Sequence, residues 1–175
     1  MNYATIKWTD IANGEGVRIS LFVSGCTHRC KNCFNQVAWD FSYGELFDEA
    51  TQEKILTGLA SGYIAGLSLL GGEPLEPQNQ KALFPFLQMV KKTYPQKTSW
   101  CYTGFVLDAT NGLLCEEEKN TEITRELLAL IDVLVDGPFI EERKDIRLKF
   151  RGSSNQRILD VKKTLQSGQA ILYME

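Results

Sequence analysis

Along this chain the spacing of apolar residues alternates between a strand-like run and a helix-like period. The apolar run Ile19 to Val23 predicts a buried strand. Asp48 to Ser61 then carries Ile55, Leu56 and Leu59 at helical spacing, with Asp48 placed to cap the helix. Ile64 to Leu70 predicts a second strand, ending at Gly71-Gly72-Glu73-Pro74. Pro77 to Tyr94 reads as a helix through Leu83, Phe84, Leu87 and Val90; Pro95 ends it and Pro85 strains its interior. Thr98 to Thr103 gives a third strand, Glu122 to Ile131 a helix, and Val133 to Asp136 a short buried strand closed by Gly137-Pro138. Leu148 to Arg151 and Ala170 to Tyr173 are further strand candidates.

Strands alternating with helices predict an α/β fold with parallel strands and crossover helices. A full eight-unit (β/α) barrel takes about 250 residues, and this chain has 175. Five or six units fit, so the expected architecture is an open partial (β/α) barrel in a single domain, 1–175. Its chemistry belongs at the carboxyl ends of the strands. The cysteine loop, Gly71 to Pro74, Tyr102-Thr103-Gly104 and Asp136-Gly137-Pro138 all fall at such ends.

Cys26, Cys30 and Cys33 lie within eight residues, directly after the first strand. Closely spaced thiolates favour an iron-sulfur cluster or zinc. A closed structural zinc site needs four ligands, and the local motif offers three. His28, Cys101 or Cys115 could complete a zinc set, or the local three could leave one iron of a four-iron cluster open. Five cysteines, an odd number, argue against a disulfide framework. Met1 to Asp10 lacks the apolar core of a secretory signal, which predicts a cytoplasmic protein.

Composition narrows the partners. The chain is 43% hydrophobic and 23% charged, with a formal charge of -3 and a pI near 5.3. It lacks the basic excess of a nucleic-acid surface and any apolar stretch near the ~20 residues of a membrane span. Arg143, Lys144, Arg147, Lys149 and Arg151 interleave with Glu141, Glu142 and Asp145, a pattern of either a solvated face or a docking patch.

The Cys-x3-Cys-x2-Cys spacing resembles that of the radical S-adenosylmethionine (SAM) enzymes, and Gly71-Gly72-Glu73-Pro74 matches their second motif. Asp10-Ile-Ala-Asn-Gly-Glu-Gly-Val-Arg18, Leu21 to Cys26, Leu134 to Phe139 and Arg151-Gly-Ser-Ser-Asn-Gln156 narrow the resemblance. Together they look like the activating proteins of anaerobic (class III) ribonucleoside-triphosphate reductases, from about Asn2 to about Leu159. Two features depart from the shared pattern. Asn32 stands where many radical SAM enzymes have an aromatic residue, and Val106 to Thr121 reads as an insertion with no legible function.

The resemblance implies a barrel of the radical SAM type with a [4Fe-4S] cluster on Cys26, Cys30 and Cys33 and SAM on its open iron. Asn32, Cys33 and Phe34 would flank the adenine, although Phe34 could equally be core packing. Gly71, Gly72 and Glu73 would hold the methionine end, and Asp136 would orient the ribose or cap its turn. The implied product is a 5'-deoxyadenosyl radical that makes a glycyl radical on the large subunit of the reductase. An electron donor such as flavodoxin is implied as well. The open alternatives are a different radical SAM enzyme and a zinc-binding module.

Overall fold

The structure, a computed structural model, describes residues 1–174. In chain order its elements are β1 (Asn2–Asp10), β2 (Val17–Val23), β3 (Glu45–Leu46), α1 (Glu49–Leu59), β4 (Ile64–Gly71), α2 (Pro77–Thr93) and β5 (Thr98–Tyr102). There follow β6 (Leu107–Asp108), β7 (Leu113–Leu114), α3 (Thr124–Ala129), β8 (Val133–Asp136), β9 (Arg157–Asp160), α4 (Val161–Ser167) and β10 (Leu172–Met174). Eight strands make one mixed sheet in the order β10-β9-β8-β5-β4-β2-β1-β3, and β6 and β7 form a separate hairpin.

Among the described residues only β2, β4, β5 and β8 run parallel, in register across the centre of the sheet. That is fewer than the five or six units expected, because both flanks are built from antiparallel strands: β1 and β3 beside β2, and β9 and β10 beside β8. Adjacent residues on the central strands serve opposite faces. Ile19, Leu21, Leu67, Leu69, Cys101, Leu134 and Leu159 pack under Ile55, Leu59, Leu83, Leu87 and Leu127 of the helices. Trp100, Val133, Val135 and Ile158 form a smaller cluster on the other face.

That second face is partly polar. Arg18 is buried there without a carboxylate partner among the described residues; its guanidinium donates to the carbonyls of Leu67 at 2.8 Å and Thr98 at 2.7 Å, and to the Ser68 hydroxyl at 2.7 Å. Burial is the main force on it and lowers its pKa to about 10. Ser68 in turn donates to the Asn13 carbonyl at 2.6 Å, holding the β1–β2 loop over this face.

Asp48 caps α1 as expected, accepting from the Thr51 amide at 2.8 Å. Pro85 is tolerated inside α2 because it lies on the exposed face, where water can take the Lys81 carbonyl it leaves unpaired. Leu148 to Arg151 is not a strand. Ile146, Leu148 and Phe150 do alternate, but they line a cavity rather than pair with a neighbour, and Phe150 has a left-handed φ of 54°. The strand expected at Ala170–Tyr173 starts later, at Leu172. No helix among the described residues is long and apolar enough to cross a membrane.

Gly66 sits where β4 meets β5: a Cβ there would come within 1.9 Å of the Thr98 carbonyl oxygen, a ladder atom that cannot yield. Gly66→Ala should therefore destabilise the protein by about 1–3 kcal/mol, read as a lower urea midpoint. An unchanged midpoint would mean the central sheet is less tightly fixed than described.

Candidate cluster and cofactor site

The three cysteines follow β2 in a loop that folds back on its own end. The Gly25 amide donates to the Ala38 carbonyl at 2.8 Å and the Cys26 amide to the Trp39 carbonyl at 3.2 Å. Within the loop the Cys33 amide donates to the Cys30 carbonyl at 3.2 Å, and Arg29 and Asn32 take left-handed φ values of 50° and 57°. Asparagine adopts that conformation more readily than an aromatic residue does, which accounts for Asn32 at its position.

The loop after β4 is stitched to the cysteine loop through the backbone. The Gly72 amide donates to the Val23 carbonyl at 2.7 Å and the Glu73 amide to the Gly25 carbonyl at 2.8 Å. Glycine is required here for backbone-to-backbone approach. Gly71 has a φ of +112°, and a Cβ on Gly72 would stand 2.6 Å from the Gly25 oxygen and 2.9 Å from the Ala38 oxygen.

Glu73 is buried at 1% exposure, with a partner on every side. Its Oε1 accepts from the Leu75 amide at 2.8 Å, and its Oε2 from the Gly104 amide at 2.8 Å. Oε2 also meets Nε2 of His28 at 2.9 Å. Burial opposes the charged form of His28, but the bond to Glu73 and the charges of Glu73, Glu76 and Glu116 outweigh it and raise the pKa. His28 thus serves a carboxylate, and its ring packs against Phe105 at a centroid distance of 4.3 Å.

A cavity of about 530 Å³ opens on these loops. Cys26, Cys30, Asn32, Cys33, Phe34, Gly71, Gly72 and Glu73 all line it, joined by Tyr102, Thr103 and Gly104 from the end of β5 and by Gly137 and Phe139 from beyond β8. Phe34 is 86% exposed, so it is a cavity wall and not core packing. Cys101 is buried and Cys115 exposed, and neither lines the cavity. Among the described residues no group of three or more His, Cys, Asp or Glu side chains converges tightly enough to hold a single metal ion. Three thiols around a cavity of this size fit an iron-sulfur cluster, and His28, which shares the cavity, is engaged by Glu73. Burial pushes the Cys26 thiol up to about 11 and raises Cys30 as well, so ligation must displace their protons.

A family model described as 4Fe-4S single cluster domain matches residues 12–159. The anaerobic ribonucleoside-triphosphate reductase-activating protein of Haemophilus influenzae is 48% identical over 160 residues, covering 90% of this chain and 97% of that protein. The protein of the same description from Escherichia coli K12 is 39% identical over 158 residues, covering 89% and 96%. That from Enterobacteria phage T4 is 36% identical over 158 residues, covering 90% and 93%. The chain belongs to this family of activating proteins.

In this family member Arg151 to Gln156 clamps the rim of the cavity. Gln156 accepts from the amides of Gly152 at 2.9 Å and Ser153 at 3.1 Å and donates to the Gly137 carbonyl at 3.1 Å, while Asn155 donates to the Pro138 carbonyl at 2.8 Å. Asp136 is turned away from the cavity: its buried carboxylate accepts from the Leu107 amide at 2.9 Å and pairs with Arg157. Of the basic group, Lys144 and Arg151 line the cavity and Arg147 pairs with Asp145.

Sequence reasoning missed Glu76, which is 2% exposed and holds the cysteine loop through Thr27. Its place just before α2 has the look of a helix cap, yet its side chain makes no capping bond. It also missed Asn79, whose side-chain amide joins the Ser24 and Glu73 carbonyls at 3.0 and 2.9 Å.

Because a Cβ on Gly72 meets the cysteine loop itself, Gly72→Ala should lower the iron retained per chain after reconstitution and desalting. Gly62→Ala, with nothing within 4 Å, should leave it unchanged. Equal iron in both variants would detach the glycines from the cluster loop.

Proposed function

We propose that this chain activates an anaerobic ribonucleoside-triphosphate reductase as a radical SAM enzyme. The observation that carries the reading is that three thiols share one cavity with the loops that end β4 and β5, while His28, which also lines it, is engaged by Glu73. In this reading Cys26, Cys30 and Cys33 hold a [4Fe-4S] cluster. Gly71 and Gly72 present backbone to the methionine end of SAM, and Asn32, Cys33 and Phe34 wall the adenine. Glu73 fixes three loops through His28, Leu75 and Gly104, so its main effect on SAM is to hold the pocket's shape. Asp136, engaged by Arg157, shapes the ribose side of the rim in the same indirect way.

Held by Cys26, Cys30 and Cys33, the cluster would with bound SAM supply the one-electron radical chemistry that makes a glycyl radical on the reductase. The protein's part is ligation, orientation and exclusion of water. The partner's large subunit must reach the cavity mouth, where Phe34 and Ile146 stand 86% and 92% exposed. The finer architecture we propose is an open partial (β/α) barrel of the radical SAM type. Helices cover one face of the four parallel strands and the cavity lies at their carboxyl ends. A reduced flavodoxin is a suitable electron donor, and a cytoplasmic setting keeps the thiols reduced.

Anaerobically reconstituted protein should hold about four irons per chain and release 5'-deoxyadenosine from SAM on reduction. Single Ala substitutions of Cys26, Cys30 or Cys33 should abolish both, and those of Cys101 or Cys115 should abolish neither. With the cognate reductase added, a glycyl radical doublet should appear on the partner. Zinc uptake without iron would sink the reading; SAM cleavage without a radical on the reductase would leave a different radical SAM enzyme.

A further inference from the structure

Apart from the Leu107 amide that bonds Asp136, the stretch Val106–Thr121 has no role in the site as described so far, yet one of its side chains crosses to the cysteine loop. Lys119 donates from Nζ to the Thr27 hydroxyl at 2.9 Å and to Oε2 of Glu76 at 3.0 Å. The other carboxylate oxygen of Glu76, Oε1, accepts from the Thr27 amide at 3.0 Å and from its hydroxyl at 2.5 Å. The side chains of Lys119 and Glu76 are 18% and 3% exposed, so the pair is largely shielded from water. The ammonium also lies 5.5 Å from the centroid of the Phe105 ring.

Lys119 is held from behind as well. Its carbonyl accepts from Nε2 of Gln80 at 2.9 Å, and Oε1 of Gln80 accepts from the hydroxyls of Thr121 at 3.0 Å and Thr124 at 2.6 Å. Gln80 is fully buried on α2. The short 3-10 turn Glu117–Lys119 that follows the hairpin of β6 and β7 thus ends on a lysine whose backbone and side chain are both fixed beside Thr27, the residue between Cys26 and His28. The neighbouring acids Glu117 and Glu118 are exposed.

Two buried carboxylates therefore lie against the cysteine loop, each with its own basic partner: Glu73 with His28, and Glu76 with Lys119. A buried charge without a partner acts strongly on its surroundings because little water screens it. Reduction adds one negative charge to a thiolate-bound cluster, and its potential follows the net charge and hydrogen bonding around it. Whether Glu76 is neutralised must then bear on how readily the cluster accepts an electron.

We propose that Lys119 is a positioning residue: by neutralising Glu76 and fixing Thr27 it sets the reduction potential of the cluster on Cys26, Cys30 and Cys33. The inference rests on the cluster in the proposed function and is independent of SAM and of the reductase.

The test is the cluster's midpoint potential, measured anaerobically without SAM, in the parent and in Lys119→Met, Glu76→Gln, the double variant and Lys119→Arg. Lys119→Met should make reduction at least about tenfold less favourable, a shift of about 59 mV downward for one electron. Glu76→Gln should shift it upward, the double variant should return toward the parent, and Lys119→Arg should stay near the parent. Glu117→Gln, an exposed charge on the same segment, should shift nothing. A merely structural strut would move both single variants the same way or neither, and either result overturns the proposal. If Lys119→Met fails to retain iron, the comparison rests on Glu76→Gln, expected above the double variant; equal potentials there overturn it. A parent that takes up no iron sinks the proposed function and this inference together, whereas a loaded parent whose variants do not diverge sinks this inference alone.

Discussion

The site depends on one buried carboxylate. Glu73 is 1% exposed, and an ionised group at that depth must be fully paired or it costs several kcal/mol. Its partners come from three places: His28 in the cysteine loop, the Leu75 amide in its own loop, and the Gly104 amide after β5. Satisfying one charge thus forces the ends of β2, β4 and β5 into a single arrangement. Glu76 repeats the device three residues later with Thr27 and Lys119, and draws in the turn that follows the hairpin of β6 and β7. The cavity is what remains between loops that these two carboxylates hold together.

Glycine makes the same closeness possible in the backbone. The amides of Gly72 and Glu73 bond to the carbonyls of Val23 and Gly25, and any side chain on Gly72 would strike the Gly25 oxygen. At the far rim Gln156 and Asn155 act on Gly137 and Pro138 in the corresponding way, with side-chain amides replacing backbone ones. The segment that narrows the sequence resemblance to the activating proteins is therefore a clamp on the rim loop. Its Asn155 and Gln156 are explained by hydrogen bonds within the protein.

Much of this was legible in the sequence, and the misses have physical causes. The parallel core read clearly because β2, β4 and β8 are largely apolar runs bounded by glycine or acidic residues, and β5 brings Trp100 and Cys101 ahead of Gly104. β1 went unread because Lys7, Trp8 and Thr9 are exposed in succession and blur its alternation. β9 and α4 were also missed, although Asp160 caps the helix through the Lys163 amide and Gly168 ends it with a φ of 68°. Leu148 to Arg151 misled because a cavity wall and a strand can present the same period of two. The site residues from Cys26 to Glu73 were found by motif and do meet at one cavity. His28, Glu76 and Lys119 were not recognised as a charge-balancing set, because pairing between residues dozens of positions apart leaves no local pattern.

The central claim is that three cysteines leave one iron of a cluster open to the amino and carboxylate groups of SAM. It is tested most directly by electron-nuclear double resonance on the reduced, reconstituted protein with SAM labelled by nitrogen-15 at its amino group and oxygen-17 at its carboxylate. The account predicts hyperfine coupling of both nuclei to the cluster, lost when SAM is omitted. A reduced cluster that shows no coupling to either label at saturating SAM would contradict it.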